Sequence, residues 1–447
     1  MDRKLKVLFV NKFLFIKGGA ETYVFNLANY LREQGHTAEF FGMDHCQNMV
    51  SSNLNLNVRN MDFHGTLLKK LLYPFKIIYS IEARRKIKRI IRNIKPDIIH
   101  LNNYNFQITP SILYEIKKHN IPVIMTLHDF QLICPNHMLY IEHKKEVCEE
   151  CKGRKYSSCI KHKCIHNSRL KSIMGTLEAK LYYKLGTYEK NIDSYIAPSY
   201  FMKNKVVEFG EQENKITVIH NFISGEEYTG RRRKEKYVLY FGRLAVQKGI
   251  HTLIEVCRRL PHICFVIAGS GEMAGQLKGI DNIKYVGYKN REELKPLIEG
   301  AVFSVCPSVC YENCSMSIIE SQMYGTPVIG ANIGGIPELI EDGKDGLLFN
   351  PGDAGDLSEK IRFLYENETL LETFSANCAE KIRCNFSIER YYEELMKVYS
   401  VAIEKHRSCK QIFSKTEHVI GGDNIYEGCN DRAKGHSLQS GRDRSPC

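Results

Sequence analysis

A chain of 447 residues, 43% apolar and 26% charged, is an ordinary globular chain with room for roughly two domains. Its net charge of +12 favours an anionic partner without naming one. No stretch approaches 18 uninterrupted apolar residues, which argues against a membrane span.

The opening residues, MDRKLKVLFVN, are basic and then apolar, but the run Val7 to Val10 is too short for a signal peptide and no small-residue cleavage site follows. The sixteen cysteines therefore read as reduced thiols of a cytoplasmic protein, several of them (Cys257, Cys264, Cys306) inside or beside apolar segments. Any membrane contact is expected to be peripheral, on the inner face.

Along the chain, β-rich runs alternate with helical patterns from residue 5 to about residue 385. The strands are KVLFV, DIIHL, PVIMTL, SYIAPS and ITVIH, then KYVLYFG, ICFVIAG, NIKYVG, VFSVCPS and TPVIG. The first helix carries Ala20, Tyr23, Leu27, Ala28 and Leu31 on one face and stops at Gly35. Apolar strands separated by helices predict parallel sheets covered on both faces, with ligands at the carboxyl ends of the strands. A polar break at about 222–236, FISGEEYTGRRRKEK, divides two doubly wound α/β domains, residues 1–225 and 236–386, facing a central cleft. From Ser387, a plausible N-cap, a helix runs over about 387–406. Residues 407–447 read as a disordered tail.

The chemistry-bearing motifs lie at strand ends. YFGRLAVQKGI places Gly242, Arg243 and Lys248 after a strand, where two cations suit a diphosphate but also suit a solvated loop. VIAGSGE offers Gly269 for close backbone approach to a ligand, or for a tight turn. In YENCSMSIIESQMYGTPVIGANIGGIPE, Glu312 precedes a helix expected to begin around Ser315 to Ser317, whose free amides form an anion site beside Cys314, Ser315 and Met316. Glu320 lies in its first turns, and Ser317 with Glu320 also fits a capping box that needs no ligand. Taken together, the features describe a grip on a diphosphate with a polyhydroxylated group at each end.

At these residues the chain resembles the family-4 retaining glycosyltransferases of the GT-B fold. The resemblance covers roughly residues 5 to 405. It is carried by Glu312 and Glu320 at E-x7-E spacing, the Tyr-Gly-Thr-Pro-Val-Ile after them, and the Gly-Arg…Lys-Gly pair. It implies that Glu312 contacts the donor sugar, Glu320 the ribose, and Arg243 and Lys248 the diphosphate of a nucleotide sugar. Cys314-Ser315 stands where the family commonly has Phe-Gly. The resemblance also gives roles to Gly18 and Gly19, beside the donor phosphate and acceptor, and to His128, on the donor sugar. By themselves these read as a turn and a structural histidine.

No two aspartates are two positions apart, so no Asp-x-Asp motif offers itself for a metal. Stabilisation of the leaving diphosphate is expected from Arg243, Lys248 and the helix N-terminus, with no cofactor required for catalysis. Retention is implied by the resemblance alone.

Two features bear on partners. Residues 66–95 set Ile87, Ile90, Ile91 and Ile94 against ten Lys and Arg, either a buried stripe under a solvated face or a dock for anionic lipid. The latter suits a lipid-linked or growing glycan acceptor in polysaccharide assembly. Within an insertion at about 134–166, Cys148, Cys151, Cys159 and Cys164 are spaced for one structural zinc, with His162 and His166 as substitutes, or are simply reduced thiols. A zinc-containing nucleic-acid binder is disfavoured because the basic residues are dispersed and no recognition motif is present. A nucleotide-sugar epimerase or a phosphorylase would keep the fold and change the chemistry.

Overall fold

The computed structural model describes residues 3–50, 54, 56–60, 75–223 and 234–417. In the N-terminal part, β1 (Lys6–Val10) leads to α1 (Gly19–Glu33) and β2 (Thr37–Phe41), followed by α2 (Ile81–Ile94), β3 (Ile98–Leu101) and β4 (Val123–Thr126). A small hairpin, β5 (Tyr140–Ile141) and β6 (Glu146–Val147), and α3 (Arg169–Lys184) precede β7 (Ser194–Ala197), α4 (Tyr200–Glu208) and β8 (Ile216–Val218). The sheet is entirely parallel, in the order β2-β1-β3-β4-β7-β8.

A second parallel sheet comprises β9 (Tyr237–Phe241), β10 (Cys264–Ala268), β11 (Ile283–Gly287), β12 (Phe303–Cys306), β13 (Val328–Ala331) and β14 (Gly346–Phe349), in the order β11-β10-β9-β12-β13-β14. In both sheets the first strand lies between neighbours reached by crossovers in opposite directions, so a crevice opens at its carboxyl end. All ten expected strands form. The expected break at 222–236 lies largely outside the described residues.

One apolar cluster fills the C-terminal domain, and two flank the faces of the N-terminal sheet. The second of those two is completed from far along the chain. α5 (Met316–Met323) belongs to the C-terminal domain, but α6 (Ile388–Glu417) lays Tyr391, Leu395 and Tyr399 against Leu5, Val7 and Phe9. Inside that contact the Tyr399 hydroxyl lies 2.7 Å from His100 Nδ1. Ser387 caps α6 by accepting from the Arg390 amide at 3.2 Å, and the helix runs past residue 406, where the tail was expected to begin.

α2 buries Ile87, Ile90 and Ile91 and partly Ile94, so the stripe serves the core. Several of its cations are internally engaged: Arg84 and Lys88 face Glu115 at 3.2 and 3.9 Å, and Lys86 pairs with Glu82 at 2.7 Å. The part of the basic segment before residue 75 lies outside the described residues. Among the described residues no helix is long and apolar enough to cross a membrane.

The zinc expectation is corrected. Among the described residues no group of three or more His, Cys, Asp or Glu side chains is arranged to hold a metal ion. All four cysteines of the expected set, Cys148, Cys151, Cys159 and Cys164, are free thiols, Cys151 and Cys159 buried and Cys148 and Cys164 half-buried, and neighbouring Cys134 donates to Asn136 Oδ1 at 2.9 Å. His162 has both ring nitrogens engaged, one with Glu150 at 2.8 Å and the other with Lys144 at 3.0 Å.

Candidate active site

The carboxyl ends of the two sheets face each other across a cleft of about 810 Å³. Its C-terminal wall is assembled from strand ends. Gly242 and Arg243 follow β9, and Gly269 follows β10 with φ of 144°. A Cβ on Gly269 would stand 1.9 Å from the Gly242 carbonyl oxygen, so only glycine lets these two loops press together and bare their backbone to the cleft.

After β12, Glu312 reaches back to Lys248. Its Oε1 accepts from Lys248 Nζ at 2.5 Å and from Ser308 Oγ at 2.6 Å. Burial pushes the Glu312 carboxyl up, but the Lys248 ammonium, Ser308 and the more distant Arg243 outweigh it and hold the group below its ordinary value. Lys248 responds in the reciprocal sense: burial lowers it, and the Glu312 carboxylate more than offsets that. Arg243 is exposed to the cleft, and among the described residues no carboxylate lies within ion-pair distance of it.

The Gly-Gly-Ile-Pro loop buttresses this glutamate. Gly334 takes φ of 63° with the Glu312 backbone 2.6 Å from where its Cβ would be, and the Gly335 amide donates to the Glu312 carbonyl at 2.7 Å. α5 begins immediately beyond, with Cys314, Ser315 and Met316 on the cleft. The capping-box alternative is not realised. Ser315 is the N-cap and its side chain makes no cap bond, so Ser317 and Glu320 already lie inside the helix. Glu320 faces the cleft instead. Burial pushes its carboxyl up to about 7 against the opposing pull of Arg291.

The N-terminal wall brings Gly18, Gly19 and His128 to the same cleft. Gly19 approaches α5 so closely that a Cβ there would stand 3.2 Å from Met316 Cγ. His128 lies 2.9 Å from the Asn102 carboxamide oxygen, whose own amide nitrogen is turned to the His100 carbonyl. That arrangement places the imidazole proton on Nε2. Burial, opposed by Asp129, lowers His128 to about 4, so the ring is neutral. Every residue assigned to the donor site from the sequence thus lines one cavity.

Several lining or supporting groups were not anticipated. Asn313 donates from Nδ2 to the His128 carbonyl at 2.7 Å, tying the Glu312 loop to the opposite domain. Tyr311 donates to Glu149 of the cysteine-rich insertion at 2.6 Å, and Lys205 of α4 reaches the same carboxylate at 2.8 Å. Glu338 accepts from the amides of Tyr200 and Phe201 at 2.8 and 2.6 Å. Ser308 lies just before the E-x7-E spacing and Asn313 just inside it, closely enough to have been suspected. Glu149 carried no such signal, since its partner is 162 residues away.

Residues 17–227 match the model of Glycosyltransferase Family 4, and residues 226–381 match that of Glycosyl transferases group 1. Both domains are glycosyltransferase domains. An uncharacterized glycosyltransferase of Methanocaldococcus jannaschii is 30% identical over 249 residues, 49% of this chain and 62% of that protein. The amylovoran biosynthesis glycosyltransferase AmsK of Erwinia amylovora is 28% identical over 216 residues, 44% of this chain and 53% of its own. The aligned glycosyltransferase region therefore spans less than two thirds of either relative. Anabaena Alr3699/HepE, solved in complex with UDP and glucose, shares the fold at a TM-score of 0.62 and 17% identity, covering 89% of this chain and 99% of that one. The architecture of the glycosyltransferase domains is GT-B.

Proposed function

We propose that the chain transfers a sugar from a nucleoside diphosphate sugar to a glycan or lipid-linked acceptor in polysaccharide assembly, with retention and without a divalent metal. The observation that carries this is Glu312, kept ionised by Lys248 and Ser308 at the mouth of a helix N-terminus, with neutral His128 on the facing wall. Breaking the anomeric bond leaves positive character on the sugar and growing negative charge on the diphosphate. Arg243, Lys248 and the first amides of α5 meet the second, and Glu312 meets the first. Glu320 takes the ribose hydroxyls, and His128 offers a neutral hydrogen-bonding edge to the donor sugar. The names of the Erwinia and Anabaena proteins support this choice of acceptor and donor class.

The test screens nucleotide sugars by thermal shift, since a ligand bound to the native state raises its melting temperature. Transfer or donor hydrolysis is then followed in excess chelator with the donor that binds. Retained turnover is expected. Activity that vanishes and returns only with magnesium or manganese would sink the metal-free mechanism, and a panel with no shift at all would sink the donor assignment.

A further inference from the structure

The loop that follows β1 carries two lysines that the donor reading above leaves unassigned. It is held firmly: the Lys12 amide donates to the Asn103 carbonyl at 2.5 Å, the Lys12 carbonyl accepts from the Met43 amide at 2.9 Å, and Asn11 Nδ2 donates to the Phe13 carbonyl at 2.7 Å. On this scaffold Lys12 Nζ lies 5.0 Å from the centre of the Phe13 ring and Lys17 Nζ 4.3 Å from the same centre. Two ammonium groups thus share one aromatic ring.

Like charges so placed repel, and here no ion pair relieves the repulsion. Among the described residues no carboxylate stands within ion-pair distance of either lysine, whereas Lys248, Lys205 and Lys381 each have one at 2.5 to 2.8 Å. Burial and then Lys17 draw the Lys12 ammonium below its ordinary value, and buried Glu21 offsets this only in part. The Glu21 Oε1 is turned to Asn11 Nδ2 at 3.5 Å.

The loop is also well placed. Lys17 lines the cleft next to Gly18 and Gly19, on the wall opposite the diphosphate grip. Phe15 stacks on His45 at 4.5 Å and meets Phe13 edge-on at 5.3 Å, so apolar ring surface flanks the cations.

We propose that Lys12 and Lys17 form a second anion subsite, which holds a phosphate group carried by the acceptor and so presents the acceptor hydroxyl to the donor sugar. Two ammonium groups held on one ring match a phosphate dianion better than a single carboxylate. The phosphate belongs either to a lipid carrier or to a soluble phosphorylated sugar. The acceptor role rests on the transferase reading above; the binding of a phosphate does not.

Inorganic pyrophosphate titrated into the full chain by calorimetry separates the two. The wild type is expected to show two classes of site. Arg243→Gln should weaken one, and Lys12→Gln with Lys17→Gln should weaken the other by about tenfold or more. Lys17→Gln alone, at an exposed position, serves if the double variant folds poorly. An isotherm unchanged in both lysine variants overturns the proposal. An isotherm unchanged only in Arg243→Gln overturns the donor site and leaves this one standing. Sedimentation with phosphatidylcholine vesicles carrying phosphatidic acid, with and without glycerol 3-phosphate as competitor, identifies the source. Binding lost in the lysine variants indicates a lipid phosphate. Equal vesicle binding, with glycerol 3-phosphate affinity lost, indicates a soluble one.

Discussion

The two walls of the cleft spend backbone strain differently. Among the described residues, every non-glycine residue with positive φ falls between Lys95 and Asn167, in the N-terminal domain, and His137 on the cleft wall is one of them at 65°. In the C-terminal domain the left-handed positions are taken by glycines, including Gly242, Gly249, Gly269 and Gly334. A non-glycine residue held there costs on the order of 1 kcal/mol or more, and surrounding structure must hold it in place. The C-terminal wall therefore specifies its shape locally, in residues that announce it. The N-terminal wall depends on distant contacts, such as the one between Glu149 and Tyr311. Charge follows the same division: Glu312 is ionised and paired, whereas His128 is neutral.

The sharpest way to break this comparison is Glu312→Gln. If the paired carboxylate acts where the sugar reorganises, turnover should fall roughly a hundred- to a thousandfold while affinity for free nucleotide stays near wild type. Equal losses in both would make Glu312 a mere support for Lys248.

Glu320→Gln should behave in the opposite way. Removing one charge-assisted bond to the ribose is worth about 1.5 to 3 kcal/mol, hence a ten- to hundredfold weaker nucleotide, measured by calorimetry. Wild-type affinity in this variant would strip Glu320 of its ribose role.

A pH titration sharpens the same point. The Glu320 carboxyl is raised to about 7, so the free protein carries it largely protonated below that pH. If the ribose requires the carboxylate, nucleotide affinity should climb as pH rises through about 7, by at most about tenfold per pH unit, and level off above. In Glu320→Gln that climb should vanish.

The smallest effect tests the other wall. Tyr311→Phe keeps the ring against Phe201 but deletes the bond to Glu149. Because this contact is partly solvated, its loss should cost a few-fold in kcat/KM rather than a collapse. Steady-state rates with the donor varied would show a wild-type value if the insertion plays no part in holding the Glu312 loop.

The same contrast explains what could be read from the sequence. The ten strands that were legible are nearly uninterrupted apolar runs of a sheet covered on both faces. The two-residue strands β5 and β6 were missed, as were β2 and β14: Glu39 interrupts β2, and Gly343 and Asp345 crowd the entry to β14, where the flanking residues read as turn. The residues lining the cleft were legible because glycine, Arg, Lys and a helix start stand in the sequence just after apolar strands. The cysteine spacing misled for the converse reason. Spacing permits a ligand set, but only the three-dimensional path decides whether the thiols are arranged to hold a metal, and among the described residues they are not.

One feature of the fold governs how the molecule can be made. The N-terminal sheet needs α6 to close one of its faces, with Tyr399 bonded to buried His100 and Tyr391 to buried Tyr23. On the ribosome, residues 6–218 emerge long before residue 388, so the first domain synthesised must wait, one apolar face covered only in part by α1, while the second domain is produced. Its native state is thus reached only after α6 has been translated. During that interval the half-covered sheet presents apolar surface to which a chaperone can bind.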